Sequence, residues 1–365
     1  MRSISLYVHV PFCRRRCSYC TFYHVPHIAD FESRFVDALL TELEAAVREI
    51  DSAFQFPTVF FGGGTPSVLN PESLDRIFNA MDPYLKRGAE ITFETNPEDV
   101  TSALLDDLKA RGVNRLSLGV QSMDVKGLRR LGRCTPKVND RAMGLAVSHF
   151  DNVSFDLLLG IPDVSPEALE GTLECVLVYM PQHFSVYCLE PGGVMQRDVE
   201  GFFDAVDPER SADEYLHVCA ALREERYGHY EVSNFAMPGY ASEHNRVYWC
   251  GADYIGIGPG AHSFLDGERF CNVPSIEQYV AGTQETRGGT RRYEGRSEEE
   301  RILEGAMLGL RTSAGLSLER LSCERSVVDD LVIRRLARFE ADRLVLTDRG
   351  FLLLDEILLR ITRAA

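Results

Sequence analysis

The sequence predicts an α/β protein: a partial (β/α)6 TIM-like barrel, then a C-terminal α+β extension ending in a winged-helix-like module. Three observations point there. Short β-branched or aromatic runs alternate six times with longer segments of helical period. Six strand-helix steps fall short of the eight that close a full barrel. Glycine-rich or polar punctuation then lands at the same end of one strand after another.

In chain order the strands are Ser5 to Val10, Thr58 to Phe61, Ile91 to Glu94, Arg115 to Gly119, Val153 to Leu159 and His183 to Leu189. Between them the period changes. In Phe31 to Ile50, the residues Phe31, Phe35, Leu39, Leu43, Ala46 and Ile50 trace one apolar face at three- and four-residue steps. Further helices are expected at Pro71 to Leu85, Thr101 to Arg111, Val138 to Ser148 and Pro166 to Tyr179. Strands joined by such helices lie parallel in one sheet. The barrel should occupy residues 1–195, a linking segment 196–295 and a helical C-terminal domain 296–365. In the last, helices Glu298 to Leu310 and Val327 to Phe339 precede a strand, Arg343 to Thr347, and a helix, Phe351 to Ile361.

At 365 residues and 45% hydrophobic composition the chain can bury a large core. No apolar run reaches the roughly 18 residues of a spanning helix, and the start lacks the apolar stretch of a signal peptide. A reducing cytoplasm is the expected location, with any membrane contact peripheral. The net charge of −16 argues against a general nucleic-acid partner, and Glu298, Glu299, Glu300, Asp329, Asp330, Asp355 and Glu356 argue against DNA binding by the C-terminal module.

The first strand runs into Cys13, Cys17 and Cys20, spaced C-x3-C-x2-C. Three thiolates on one loop can converge on a metal, but they are one ligand short of a closed zinc site or a fully ligated four-iron cluster. The shortfall leaves an open coordination position. Zinc completed by His24 stays open at this point. A disulfide fits a cytosolic chain poorly, and the other seven cysteines read as small apolar residues. Arg14, Arg15 and Arg16 either offset the charge of a thiolate-bound cluster or an anionic ligand, or form a solvated loop tip. Elsewhere Phe61 leads into Gly62-Gly63-Gly64-Thr65-Pro66, and Glu94 into Thr95-Asn96-Pro97. Gly119 leads into Val120-Gln121-Ser122, and Asp156 precedes Gly160-Ile161-Pro162. A small-molecule site across the barrel mouth explains this alignment, whereas a zinc knuckle does not.

Taken together these residues resemble the radical S-adenosylmethionine (SAM) superfamily, by the cysteine motif with Tyr19 before its last cysteine and by Gly62 to Pro66. Within it, Tyr7-Val8-His9-Val10-Pro11-Phe12-Cys13 and Asp156 to Pro162 are similar to the group of oxygen-independent coproporphyrinogen III oxidases and HemW-type haem chaperones. The resemblance implies a [4Fe-4S] cluster on Cys13, Cys17 and Cys20, with SAM on its free iron and a reductant protein that supplies the electron for cleavage to a 5′-deoxyadenosyl radical. It places Tyr7, Phe22, Gly63, Gly64, Thr65, Glu94, Gln121, Arg133 and Asp156 around SAM; Gly64, Thr65, Gln121, Arg133 and Asp156 match positions around a second SAM in the oxidase.

Two departures from the oxidase bear on porphyrin chemistry. The oxidase resembles C-x3-C-x2-C-x-C with a long N-terminal arm, whereas here Phe22 holds the last position and twelve residues precede Cys13. His244-Asn245-Arg246-Val247-Tyr248-Trp249 matches the H-N-x-x-Y-W segment associated with haem binding in HemW-type proteins. An imidazole at His244 can ligate iron, and Tyr248 and Trp249 offer flat apolar surface. His262 reads as a buried structural histidine or, less favoured, a second ligand. The resemblance thus implies a haem chaperone serving apo-haemoproteins such as respiratory enzymes. The alternatives are a coproporphyrinogen III oxidase of porphyrin biosynthesis and a zinc-bound interaction protein.

Overall fold

The computed structural model describes residues 1–50, 52–189, 202–286, 291–320 and 323–363. Its centre is six parallel strands in sequence order: β1 (Ser5–Val10), β2 (Phe54–Gly63), β3 (Leu85–Thr95), β4 (Arg115–Gln121), β5 (Val153–Leu159) and β6 (His183–Cys188). The connecting helices are α1 (Ala29–Glu49), α2 (Pro71–Met81), α3 (Ser102–Ala110), α4 (Pro136–His149) and α5 (Pro166–Leu177). The expected helix to Leu85 stops at Met81. Pro83 cannot continue the hydrogen-bond ladder, Asp82–Tyr84 tighten into a 3-10 turn, and Leu85 already pairs with Phe56.

The sheet reaches further on both sides than the six runs. Tyr254–Ile257 pairs parallel to β1, so a seventh parallel strand flanks the barrel. Three antiparallel strands, His262–Leu265, Glu268–Asn272 and Arg291–Glu294, continue that edge. Beyond β6 come Asn234–Ala236 and Gly228–Glu231, both antiparallel. With Arg2–Ser3 beside β2 the sheet has 13 strands, and among the described residues its two ends do not pair. The barrel is therefore open. The expected boundary between residues 195 and 196 lies outside the described residues, while strands on either side of it belong to this one sheet.

The pleat sorts the side chains. Val8, Phe61, Phe93, Leu116 and Val153 stand in successive register across β1 to β5, are buried, and share the parity that faces the helices. α1 covers them with Phe35, Val36, Leu39, Leu43 and Ala46. One carboxylate interrupts that helix face. Glu42 is buried and accepts from the Gly258 N–H at 2.9 Å, Asn272 Nδ2 at 2.7 Å and Tyr279 O–H at 2.6 Å. Burial pushes its pKa up while these donors pull it down. Glu42 thus ties α1 to the sheet extension and to the helix Ile276–Thr286.

In the C-terminal part, Glu298–Leu310 starts with a capping box between Ser297 and Glu300. The expected helix Val327 to Phe339 is corrected: it spans Arg325–Ile333, breaks at Arg335 (φ 59°), and Ala337–Glu340 forms a hairpin with Arg343–Leu346. The short apolar run there satisfies both periods, and the left-handed Arg335 decides against helix. Leu316–Ser317 adds a third strand and Leu354–Arg363 a last helix. Asp348 docks this module on the barrel through Arg223 at 2.5 Å and His229 Nδ1 at 3.0 Å. No helix among the described residues is long and apolar enough to cross a membrane.

Replacing Glu42 by Ala leaves the Gly258 N–H and the Tyr279 O–H buried without an acceptor and takes one of two acceptors from Asn272 Nδ2. A loss of about 3 kcal/mol in urea-unfolding stability is expected, and an unchanged midpoint would refute the tie.

Candidate functional site

The opposite pleat parity faces inward and is polar. Thr92 and Glu94 on β3, Arg115, Ser117 and Gly119 on β4, Ser154 and Asp156 on β5, and His183 and Ser185 on β6 alternate with the apolar set. At the C-terminal strand ends this interior opens into a cavity of about 640 Å³. Cys13, Cys17 and Cys20 form one wall, and Gly63, Gly64, Thr65, Glu94, Gln121, Arg133 and Asp156 form the others. Phe22 stands at the rim, 67% exposed. Eight of the nine residues expected around SAM therefore line one chamber with the cysteines. Tyr7 does not line it, and its hydroxyl is instead hydrogen-bonded to His9 Nδ1 at 3.1 Å.

The backbone explains two of the glycines. A Cβ on Gly63 (φ 105°) would lie 2.6 Å from the His9 imidazole, and one on Gly64 would lie 2.6 Å from the Phe12 carbonyl oxygen. The cysteine loop and the glycine turn are thus packed against each other. Gly64 N–H donates to the Val10 carbonyl at 2.7 Å, and Thr65 N–H to that of Phe12 at 2.8 Å. Thr65 Oγ1 lies 3.4 Å from Cys13 Sγ and accepts from Asn96 Nδ2 at 2.9 Å. Gln121, not a glycine, holds φ 67°, a strained conformation of the kind found at functional sites. Arg133 is buried, donates to the Gly119 carbonyl at 2.5 Å and approaches Cys17 Sγ at 3.5 Å.

Burial sets the protonation of this chamber. It pushes Glu94 up to about 8, aided by the charge of Asp156, and Asp156 up to about 6 against hydrogen bonds that include Ser117 Oγ at 3.0 Å. Burial also raises the Cys13 thiol to about 11 and the Cys20 thiol above its usual range. The walls hold carboxyls that a bound cation would ionise and thiols that a bound metal would deprotonate.

The H-N-x-x-Y-W segment lies at the other end of the barrel. Glu243–Trp249 (α6) is capped by Ser242, and Glu90 accepts from the N–H groups of Glu243 at 3.1 Å and His244 at 2.9 Å. His244 is fully buried: its Nδ1 is 2.8 Å from Thr58 Oγ1 and its Nε2 is 2.8 Å from Tyr248 O–H. Burial lowers its pKa to about 3. Trp249 lies under the Arg311 guanidinium at 4.0 Å. In this arrangement neither ring nitrogen of His244 is free, and α6 plugs the barrel floor. Thr58 and Gly63 are five residues apart on β2, so floor and chamber are separated by about 16 Å of strand.

His262 corrects an expectation. Its side chain is 59% exposed, not buried, and faces Glu294 at 3.5 Å. No disulfide joins the ten cysteines. Residues outside the expected set also line the chamber: Asn96, Ser117, Leu158, Tyr187, Leu189 and Phe203. Asn96 was visible in the polar run after Glu94; Tyr187 and Phe203 carried no local signal, because their roles depend on how distant segments meet.

Comparison with known proteins gives the family and the fold. A family model described as the radical SAM superfamily matches residues 7–176. The heme chaperone HemW of Lactococcus lactis subsp. lactis is 32% identical over 364 residues, 95% of this chain and 94% of that protein. The heme chaperone HemW of Synechocystis sp. is 36% identical over 329 residues, 86% and 79%. A bovine (Bos taurus) mitochondrial protein, radical S-adenosyl methionine domain-containing protein 1, is 36% identical over 334 residues, 86% and 74%. Coproporphyrinogen III oxidase (HemN) from Escherichia coli superposes with a TM-score of 0.84 at 22% identity, covering 99% of this chain and 90% of that one, which places the fold.

Glu94 gives the chamber a pH signature. Its folded pKa is raised, so the folded state holds a proton that the unfolded state has released, and stability falls as pH rises towards 8. The buried histidines His9 and His244, lowered to about 4 and 3, act oppositely, losing stability as pH falls below their ordinary 6.5. The histidines are common to the parent and Glu94→Gln, so the stability difference between the two should change by about 1–2 kcal/mol in thermal unfolding between about pH 6.5 and 8, with the parent losing more. A pH-independent difference would refute it.

Proposed function

We propose, from the premise that this chain belongs to the radical SAM superfamily and to the HemW family within it, that it is a haem chaperone. It would bind haem and pass it to apo-haemoproteins such as respiratory enzymes, in the cytoplasm, with a reductant protein serving its cluster and any membrane contact peripheral. The observation that carries the reading is kinship to HemW proteins over 95% of the chain, joined to Phe22 where the oxidase would have a further cysteine.

The chamber fits a [4Fe-4S] cluster and SAM. Three thiols share one wall, Gly64 gives up its side chain where the cysteine loop passes, and two carboxyls face the same 640 Å³ space. Cys13, Cys17 and Cys20 would hold the cluster. When bound, the cluster and SAM supply one-electron reductive cleavage of a sulfonium. The residues around them do simpler things. Arg133 brings a positive charge to within 3.5 Å of Cys17 Sγ. Glu94 and Asp156 would meet a cationic ligand as carboxylates, so its binding should release protons near neutral pH. Thr65 and Asn96 hold the Cys13 side of the loop to the strand ends. Leu158, Tyr187, Leu189 and Phe203 form an apolar lip that limits water.

The test joins metal analysis and two assays on anaerobically purified protein. Iron and sulfide, binding of haem with transfer to an apo-haemoprotein, and no protoporphyrinogen from coproporphyrinogen given reductant and SAM are expected. Zinc without iron would overturn the cluster, and oxidase turnover without haem transfer would overturn the chaperone.

A further inference from the structure

We infer that haem binds on the outer side of the cysteine loop, ligated by His24 and steered by the neighbouring arginines. This rests on the haem-chaperone reading and names its ligand site. A cavity of about 420 Å³ lies there, walled by Arg14, Arg15, Arg16, Phe22, Tyr23 and His24 among others. Arg15, Phe22 and His24 also line the barrel chamber, so the two spaces share a wall.

Each group has the chemistry that haem needs. His24 Nδ1 lies 2.8 Å from the Phe22 carbonyl oxygen, which can only accept. The proton is therefore on Nδ1, and Nε2 carries the free lone pair. A backbone carbonyl fixing the tautomer in this way is how iron- and zinc-binding imidazoles are oriented. His244, by contrast, has both nitrogens occupied at the barrel floor. Phe22 exposes an aromatic ring beside His24, a surface that a flat porphyrin can cover. The third feature is charge. Haem carries two propionates, and in a chain of net charge −16 the three consecutive arginines at this cavity stand out. Arg14 pairs with Asp99 at 2.7 Å, while Arg15 and Arg16 are exposed and form no ion pair with any described residue. Guanidinium groups pair well with carboxylates.

The experiment titrates haem into cluster-loaded parent, His24→Ala, His244→Ala and the double variant Arg15→Ala/Arg16→Ala, following the Soret band, with iron and sulfide content and circular dichroism as controls. For His24→Ala, affinity should fall about tenfold or more at unchanged cluster content, and added imidazole should restore the parent spectrum. The arginine variant should bind haem about tenfold more weakly yet bind haem dimethyl ester as the parent does. His244→Ala should melt earlier, and its folded fraction should keep the parent Soret band. Parent-like affinity in His24→Ala overturns the site and leaves the chaperone reading standing. Loss of cluster together with haem overturns it by making His24 a cluster residue. No haem binding by the parent overturns both.

Discussion

The register of the parallel sheet is the constraint on which the rest depends. Because Val8, Phe61, Phe93, Leu116 and Val153 share one row and one parity, His9, Gly62, Glu94, Ser117 and Ser154 fall on the other. A slip of one residue in any strand would turn its apolar set into the barrel and its polar set against the helices. Burial of the outer set therefore fixes the inner one. Side chains that would be costly to bury alone are placed inside by the hydrophobic packing of their neighbours.

That placement makes the barrel interior asymmetric along its axis. At the floor α6 fills the opening, with Glu90 on the helix N-terminus and Thr58 and Tyr248 on His244. At the mouth the polar groups are also partnered, Asp156 by Ser117 among them, but they border open space. Glu94 and Asp156 face a cavity, Gln121 is held in a strained turn, and three thiols share a wall. A closed floor and an open mouth are what a barrel needs if ligands enter from one side only, because binding can then lower the free energy of carboxyls that folding left close to each other.

Much of this was legible in sequence, since strand ends, glycine turns and the cysteine spacing are local signals. All three cysteines and eight of the nine expected neighbours meet in one chamber because parallel register brings every strand end to the same side. The misses were non-local. Tyr254–Ile257 is only four residues long and flanked by glycine-rich turns, so nothing in it announces a parallel strand; it is one because β1 leaves an open edge. Arg335 breaks the Arg325–Ile333 helix through a backbone conformation that an arginine does not advertise. His262 sits in a Gly-Pro-Gly-Ala context that reads as buried, yet the strand it starts presents it to solvent.

The H-N-x-x-Y-W segment shows how one motif can carry two physical readings. On a helix, positions i and i+4 share a face, so the spacing that sets an aromatic surface beside a ligand imidazole also brings Tyr248 O–H onto His244 Nε2. One geometry satisfies both descriptions, and what separates them is the surroundings. With Thr58 on the second nitrogen and Glu90 on the backbone, freeing His244 for iron means lifting α6 from the barrel and stranding Thr58 and Tyr248. His24 has no such cost, because the Phe22 carbonyl occupies only Nδ1 and no described group bonds Nε2.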